Sequence, residues 1–130
     1  MEDVFELTYR YVVPSVRRTL ASKLVEKGMY EKEAAEILGL SRSAISRYLN
    51  SERGVLVKMT DFLDVTNLIE SLAEKIIRGK IRGYRIQEEI DKIASYFMSK
   101  KYFCSMHEKI NPTVDIVKCR ICSKVFNRYY

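Results

Sequence analysis

Residues Glu31–Asn50 read EKEAAEILGLSRSAISRYLN, and this stretch decides the fold. It divides into two short helices at Gly39. On the first, Ala34, Ala35 and Leu38 form one apolar face at helical spacing. Gly39 supplies the positive φ that ends this helix, because a residue without a Cβ meets no steric penalty there. Leu40 plugs the inside of the turn, and Ser41 is a good N-cap for the second helix. On that helix Ile45, Tyr48 and Leu49 point inward, leaving Arg42, Ser43, Ser46 and Arg47 outward. The pattern is a helix-turn-helix whose second helix exposes only hydrogen-bonding groups and positive charge.

Two amphipathic helices joined at a glycine occur in many helical domains, so the reading rests on finer detail. Ala35 is small where the helices must cross closely, Gly39 follows four residues later and Ile45 six beyond that. No carboxylate stands between Gly39 and Ser51, an arrangement a merely solvated helix seldom has. Recognition of double-stranded DNA is the reading that fits. The residues AAEILGLSRSAISRYLNSERG resemble the helix-turn-helix of phage-repressor-like (Cro/C1-type) regulators. With PSVRRTLASKLVEKG before them, they look like a group of short archaeal predicted transcriptional regulators. The resemblance implies a transcription regulator, and in that group the chain tends to end in a cysteine-rich knuckle. A cytoplasmic location is expected, since the chain reads as neither secreted nor membrane-spanning.

A length of 130 residues suits one domain, or a domain with a small appendage, and can bury a real core. An apolar fraction of 47% argues against disorder. The net charge of +6 favours a polyanionic partner. No run of apolar residues is long enough for a membrane span, and the acidic start MEDVFELTYR does not read as a secretory signal.

Residues 1–13 are apolar and aromatic enough to be a strand or a docked arm. Pro14 suits the first turn of a helix. From Ser15 to Lys27, Val16, Leu20, Leu24 and Val25 repeat at helical spacing and Gly28 stops the run, with Arg17, Arg18 and Lys23 outside. Arg17 is a candidate phosphate contact, as are Arg53 and Lys58, which flank the turn after the second helix. A long helix follows from Thr60 or Asp61, carrying Leu63, Val65, Leu68, Ile69, Leu72, Ile76 and Ile77 up to Gly79. The segment GKIRGYR then interrupts with two glycines, and four positive charges stand between Arg78 and Arg85. Another helix runs from about Arg85 to Lys101, with Ile86, Ile90, Ile93, Ala94 and Phe97 on one side. These stripes exceed what a small module needs, so one of them is expected to face a second copy in a homodimer.

All three cysteines and the single histidine fall in one window: Cys104-Ser-Met-His107 and, eleven residues later, Cys119-Arg-Ile-Cys122. Each pair has the spacing that lets a tight turn aim two ligands at one ion. Three thiolates and one imidazole suit tetrahedral Zn²⁺, with an iron–sulfur cluster the alternative. TVDIVK and KVF read as two strands of a small ribbon that the metal would fold. Such a site is structural, since four protein ligands leave no position for water or substrate and no histidine remains as a base. An enzyme is therefore not expected.

The sequence thus predicts a mainly α chain in three parts. Residues 1–59 are a helix-turn-helix DNA-binding domain, 60–101 a helical dimerisation region, and 102–130 a Cys₃His zinc ribbon. A protein–protein adaptor and an iron–sulfur redox-sensing regulator are the rival readings.

Overall fold

Buried positions at Val4, Leu7, Val12, Val16 and Leu20 set one face of a helix that starts well before Pro14. The computed structural model describes residues 2–50 and 57–130 and, within them, not the side chain of Tyr48. It resolves the open choice at the N-terminus against both strand and arm: α1 (Val4–Leu7) passes through a π-helical turn (Thr8–Val12) into α2 (Val13–Glu26). Proline causes the widening. Pro14 has no N–H to give and its ring crowds the carbonyl four residues back, so the Val13 N–H reaches Thr8 O instead. Thr8 Oγ1 donates to Val4 O at 2.6 Å and Ser15 Oγ to Tyr11 O at 2.6 Å, giving carbonyls around the wide turn a second partner.

After Gly28 come α3 (Glu31–Leu38) and α4 (Arg42–Asn50). A 3₁₀ turn (Met59–Asp61) leads into α5 (Leu63–Ile77), followed by α6 (Tyr84–Ser99), α7 (Cys104–Ile110) and α8 (Ile121–Val125). Thr60 and Asp61 therefore form the lead-in turn, and neither caps α5, whose N-cap position is Phe62.

One apolar cluster runs through all of these elements. Val12, Val16, Leu20 and Leu24 are fully buried in it, and Ala34, Ala35 and Leu38 of α3, Ile45 of α4, Ile69 of α5 and Phe97 of α6 are buried in it with them. Most of the two long stripes, one of which is expected to face a second copy, is covered within the chain: Val65, Ile69, Leu72 and Ile76, and Ile86, Ile90, Ile93 and Phe97, are buried, while Leu63 and Ile77 stay exposed. Burial of a Val, Leu, Ile or Phe is worth about 1.5–3 kcal/mol each, so this packing dominates the stability. Polar contacts fix the register. Asp64 at the start of α5 accepts from Tyr96 Oη (2.6 Å) and Tyr102 Oη (2.8 Å), tying it to the end of α6 and beyond. Ser15 Oγ accepts from Val57 N at 2.8 Å, which holds Val57 against α2.

The expected ribbon is replaced by helices and turns. No strand occurs among the described residues, and 111–120 is coil and turn between α7 and α8. Two side chains explain this. Asn111 Oδ1 accepts from Thr113 N (3.1 Å), and Asp115 Oδ1 accepts from Val117 N (3.1 Å) and Lys118 N (3.2 Å), local bonds that curl the backbone where a strand must extend.

Candidate nucleic-acid interface

The turn between α3 and α4 is built by local chemistry. Gly39 sits at φ 66°, ψ 32°, and its left-handed conformation lets Leu40 N donate to Ala35 O at 2.8 Å and Gly39 N to Glu36 O at 3.2 Å. These two bonds close α3 in a Schellman arrangement. Ser41 Oγ then accepts from Ala44 N at 3.0 Å and caps α4, as its sequence position implies. Ile45 is fully buried, and this one anchor sets which side of α4 faces out.

That outward side carries Arg42, Ser43 and Arg47 exposed, and Ser46 half-buried. Arg42, Ser43 and Ser46 line an open groove whose opposite wall is Tyr30, Glu31, Lys32, Glu33 and Glu36 of α3 and its lead-in. Among the described residues neither Arg42 nor Arg47 has a carboxylate partner. Asn50 Nδ2 donates to Ser46 O (2.9 Å) and lies 3.4 Å from Ser46 Oγ, so Ser46 is positioned by the residue one turn on. Charges counted only along α4 do not reveal the acidic wall, yet its spacing announces it: Glu33 and Glu36 are three apart on α3, about one turn of a helix. Positive and neutral groups on one side and carboxylates on the other give the groove a polarity that orients an anionic partner towards α4.

The flanking candidates separate. Lys58 is exposed at the far end of α4, in a groove with Arg18, Leu49 and Thr60. Arg53 lies outside the described residues. Arg17 is not on an open surface: its Nη2 donates to Gln87 Oε1 of α6 at 2.7 Å, and its Nε is buried with no hydrogen-bond partner among the described residues. It packs α2 on α6.

The four expected metal ligands lie on and beside the short helices α7 and α8. Burial pushes the Cys122 thiol up to about 11, with further upward pressure from Cys104 and Cys119, and burial likewise raises Cys104, with Cys119 adding to it. All three thiols are half-buried, and a thiol whose ionisation is pushed up is a weak nucleophile, as at Cys104 and Cys122. His107, one turn after Cys104 on α7, is buried: its Nε2 lies 2.6 Å from Glu2 Oε1, beside the Phe103 ring. Asn111 Nδ2 donates to the same carboxylate, to Oε2 at 3.2 Å. The hydrogen bond to His107 is the main reason the Glu2 carboxyl is held below its usual range. Glu2 is 105 residues from His107, so no local spacing announced this contact. Among the described residues, no group of three or more His, Cys, Asp and Glu side chains is arranged to hold a metal ion. No helix among them is long and apolar enough to cross a membrane.

Comparison with curated proteins and with solved structures finds no match for the chain. Residues 20–66, spanning the end of α2, all of α3 and α4 and the start of α5, match the helix-turn-helix family, a family of DNA-binding regulators.

Proposed function

We propose that the chain is a sequence-specific transcriptional regulator that places α4 in the major groove of double-stranded DNA. The observation that carries the reading is the outward face of α4, where Arg42 and Arg47 stand without acidic partners among the described residues beside Ser43 and Ser46. Arginine engages guanine O6 and N7 in bidentate fashion, and serine hydroxyls serve either base edge. Lys58, at the end of α4, serves the phosphate backbone, with Arg53 in the same role. Glu36 across the groove repels phosphate and can accept from cytosine N4. Fluorescence anisotropy with a labelled duplex tests the reading. Binding should weaken steeply with salt. A protein that binds no duplex at low salt is not this regulator.

Zinc belongs to the same proposal and rests on donor chemistry, three thiols and one imidazole at paired spacing. Cys104, Cys119, Cys122 and His107 would hold the ion, with Nδ1 the ring nitrogen left over once Nε2 serves Glu2. Bound zinc supplies a structural crosslink for the segment after Tyr102 and keeps the thiols deprotonated. The four donors are not closed around an ion, so loading must draw them together. Metal analysis of unchelated protein should return one zinc per chain. Cys119→Ser should abolish binding while most helical circular dichroism remains. Protein free of zinc and iron, with three titratable thiols, would remove the metal from the account.

Homodimerisation is the third element, supported by the two-fold logic of helix-turn-helix operators, whose half-sites lie about 34 Å apart. Most of the α5 and α6 stripes is committed to the core, and Leu63 and Ile77 are the exposed stripe residues a second copy would cover. Light scattering at micromolar concentration, with and without DNA, reads the mass directly.

A further inference from the structure

Between Lys75 and Arg85 the sequence KIIRGKIRGYR carries Lys75, Arg78, Lys80, Arg82 and Arg85 and no carboxylate. All five side chains are exposed. The turn that presents them has a defined shape. Gly79 at φ 68° lets Lys80 N donate to Lys75 O at 2.9 Å, closing α5, and Gly83 at φ 62° starts α6. Between them Ile81 packs against the core, which anchors the turn and leaves Lys80 and Arg82 exposed on either side. Among the described residues Lys75, Lys80, Arg82 and Arg85 have no ion-pair partner. The nearest acids on α5 are occupied: Glu74 by Lys27 (2.7 Å) and Arg78 (3.4 Å), Glu70 by Lys27 and Lys23.

Those same ion pairs place the turn. Lys23 and Lys27 belong to the last turn and C-cap of α2, so the end of α5 lies beside the end of α2. Three residues after Lys27 stands Tyr30, exposed, at the mouth of the groove that Arg42, Ser43 and Ser46 line. The cationic turn is thus next to the α2–α3 corner, on the flank of the proposed DNA face and outside the matched span of 20–66.

We infer that the α5–α6 turn is a second phosphate-binding surface, which grips the backbone of duplex DNA beside the segment read by α4. It rests on the DNA reading above and extends the footprint beyond the helix-turn-helix. Uniform cationic charge without a base-reading geometry suits the sugar–phosphate backbone, which fixes orientation and adds affinity on any sequence.

The test uses the full chain carrying Lys80→Gln, Arg82→Gln and Arg85→Gln together, with a labelled random-sequence duplex of about 30 base pairs, roughly three helical turns, over a salt series. The slope of log K against log salt should shrink by about 0.9 for each phosphate contact removed. Melting temperature and circular dichroism should stay those of wild type, since these side chains are exposed. If the triple variant fails to fold, Lys80→Gln and Arg82→Gln singly should each lower the slope by about 1. Wild type that binds duplex, with variants of unchanged slope and affinity, overturns the inference and leaves the α4 reading standing. So does a variant that keeps its duplex slope but loses binding to anionic vesicles, which would assign the turn to a membrane surface. Wild type that binds no duplex sinks the α4 reading itself.

Discussion

Residues 31–50 and residues 100–130 are both short, helical and anchored on the same core, yet they are held in opposite ways. In the first, every determinant is local: Gly39 closes α3, Ser41 caps α4, and Ile45 seats the helix shortly beyond the glycine. In the second, α7 and α8 are short helices held by groups from distant parts of the chain. Glu2 reaches His107, and Ser95 Oγ accepts from Asn127 N (3.2 Å). Phe5 meets Phe126 with ring centroids 5.4 Å apart. Helices this short are marginal by themselves, so the second region depends on what it is pinned to. A segment ordered by its neighbours in sequence can be read from sequence; one ordered by remote partners cannot.

The difference can be broken first at the shared core. Phe97 is fully buried and touches Phe62 and Tyr102 rings at 5.0 and 5.5 Å. Phe97→Ala should cost about 3–5 kcal/mol in urea denaturation. It should loosen both regions together, because Tyr102 leads into α7. A loss confined to the C-terminal region would show that the two regions do not share one continuous core.

Gly39→Ala sharpens the local side of the contrast. A Cβ there would meet no atom within 4 Å, so the cost is backbone strain alone. It should be about 1–2 kcal/mol, with DNA affinity falling through the altered α3–α4 angle. Unchanged stability would mean that the turn is not held in the left-handed region.

The smallest effect belongs to the polar tie. Burial pushes the Asp64 carboxyl up, but hydrogen bonds from Tyr96 and Tyr102 and from the Val65 amide outweigh it and hold it below its usual value. Its contribution is therefore fully present above the ordinary carboxylate range and is lost as pH falls through the depressed value. Tyr96, pushed up to about 12 by the same bond, contributes fully below pH 10 and loses that contribution as pH rises towards 12. Tyr96→Phe should cost about 0.5–1.5 kcal/mol at neutral pH and flatten the acid limb of the stability profile. An acid limb identical to wild type would assign the pH dependence to other carboxylates.

The helix-turn-helix and the stripes of α5 and α6 were legible because hydrophobic period and turn chemistry are written in consecutive residues. The N-terminal helix was not, since the π turn sets Val12 five positions after Leu7 and breaks the period that announces a helix. The ribbon expected at 102–130 failed for a different reason. The segment TVDIVK promised a strand, but the Asp115 side chain captured the backbone first. Arg17 shows the limit at single residues: outward on its own helix, it is covered by α6, and sequence alone does not say which helix packs where.

The most direct measurement of the central claim is the binding of wild type and Arg47→Ala to a panel of duplexes that vary one base pair at a time around a selected site. Arg47 is exposed and free of carboxylate partners among the described residues, so its loss leaves the fold intact. Affinity for the best site should fall by about 1–3 kcal/mol, with discrimination relaxed at one base position and unchanged at the others. An equal loss on every duplex would make Arg47 a phosphate contact and contradict the placement of α4 in the major groove.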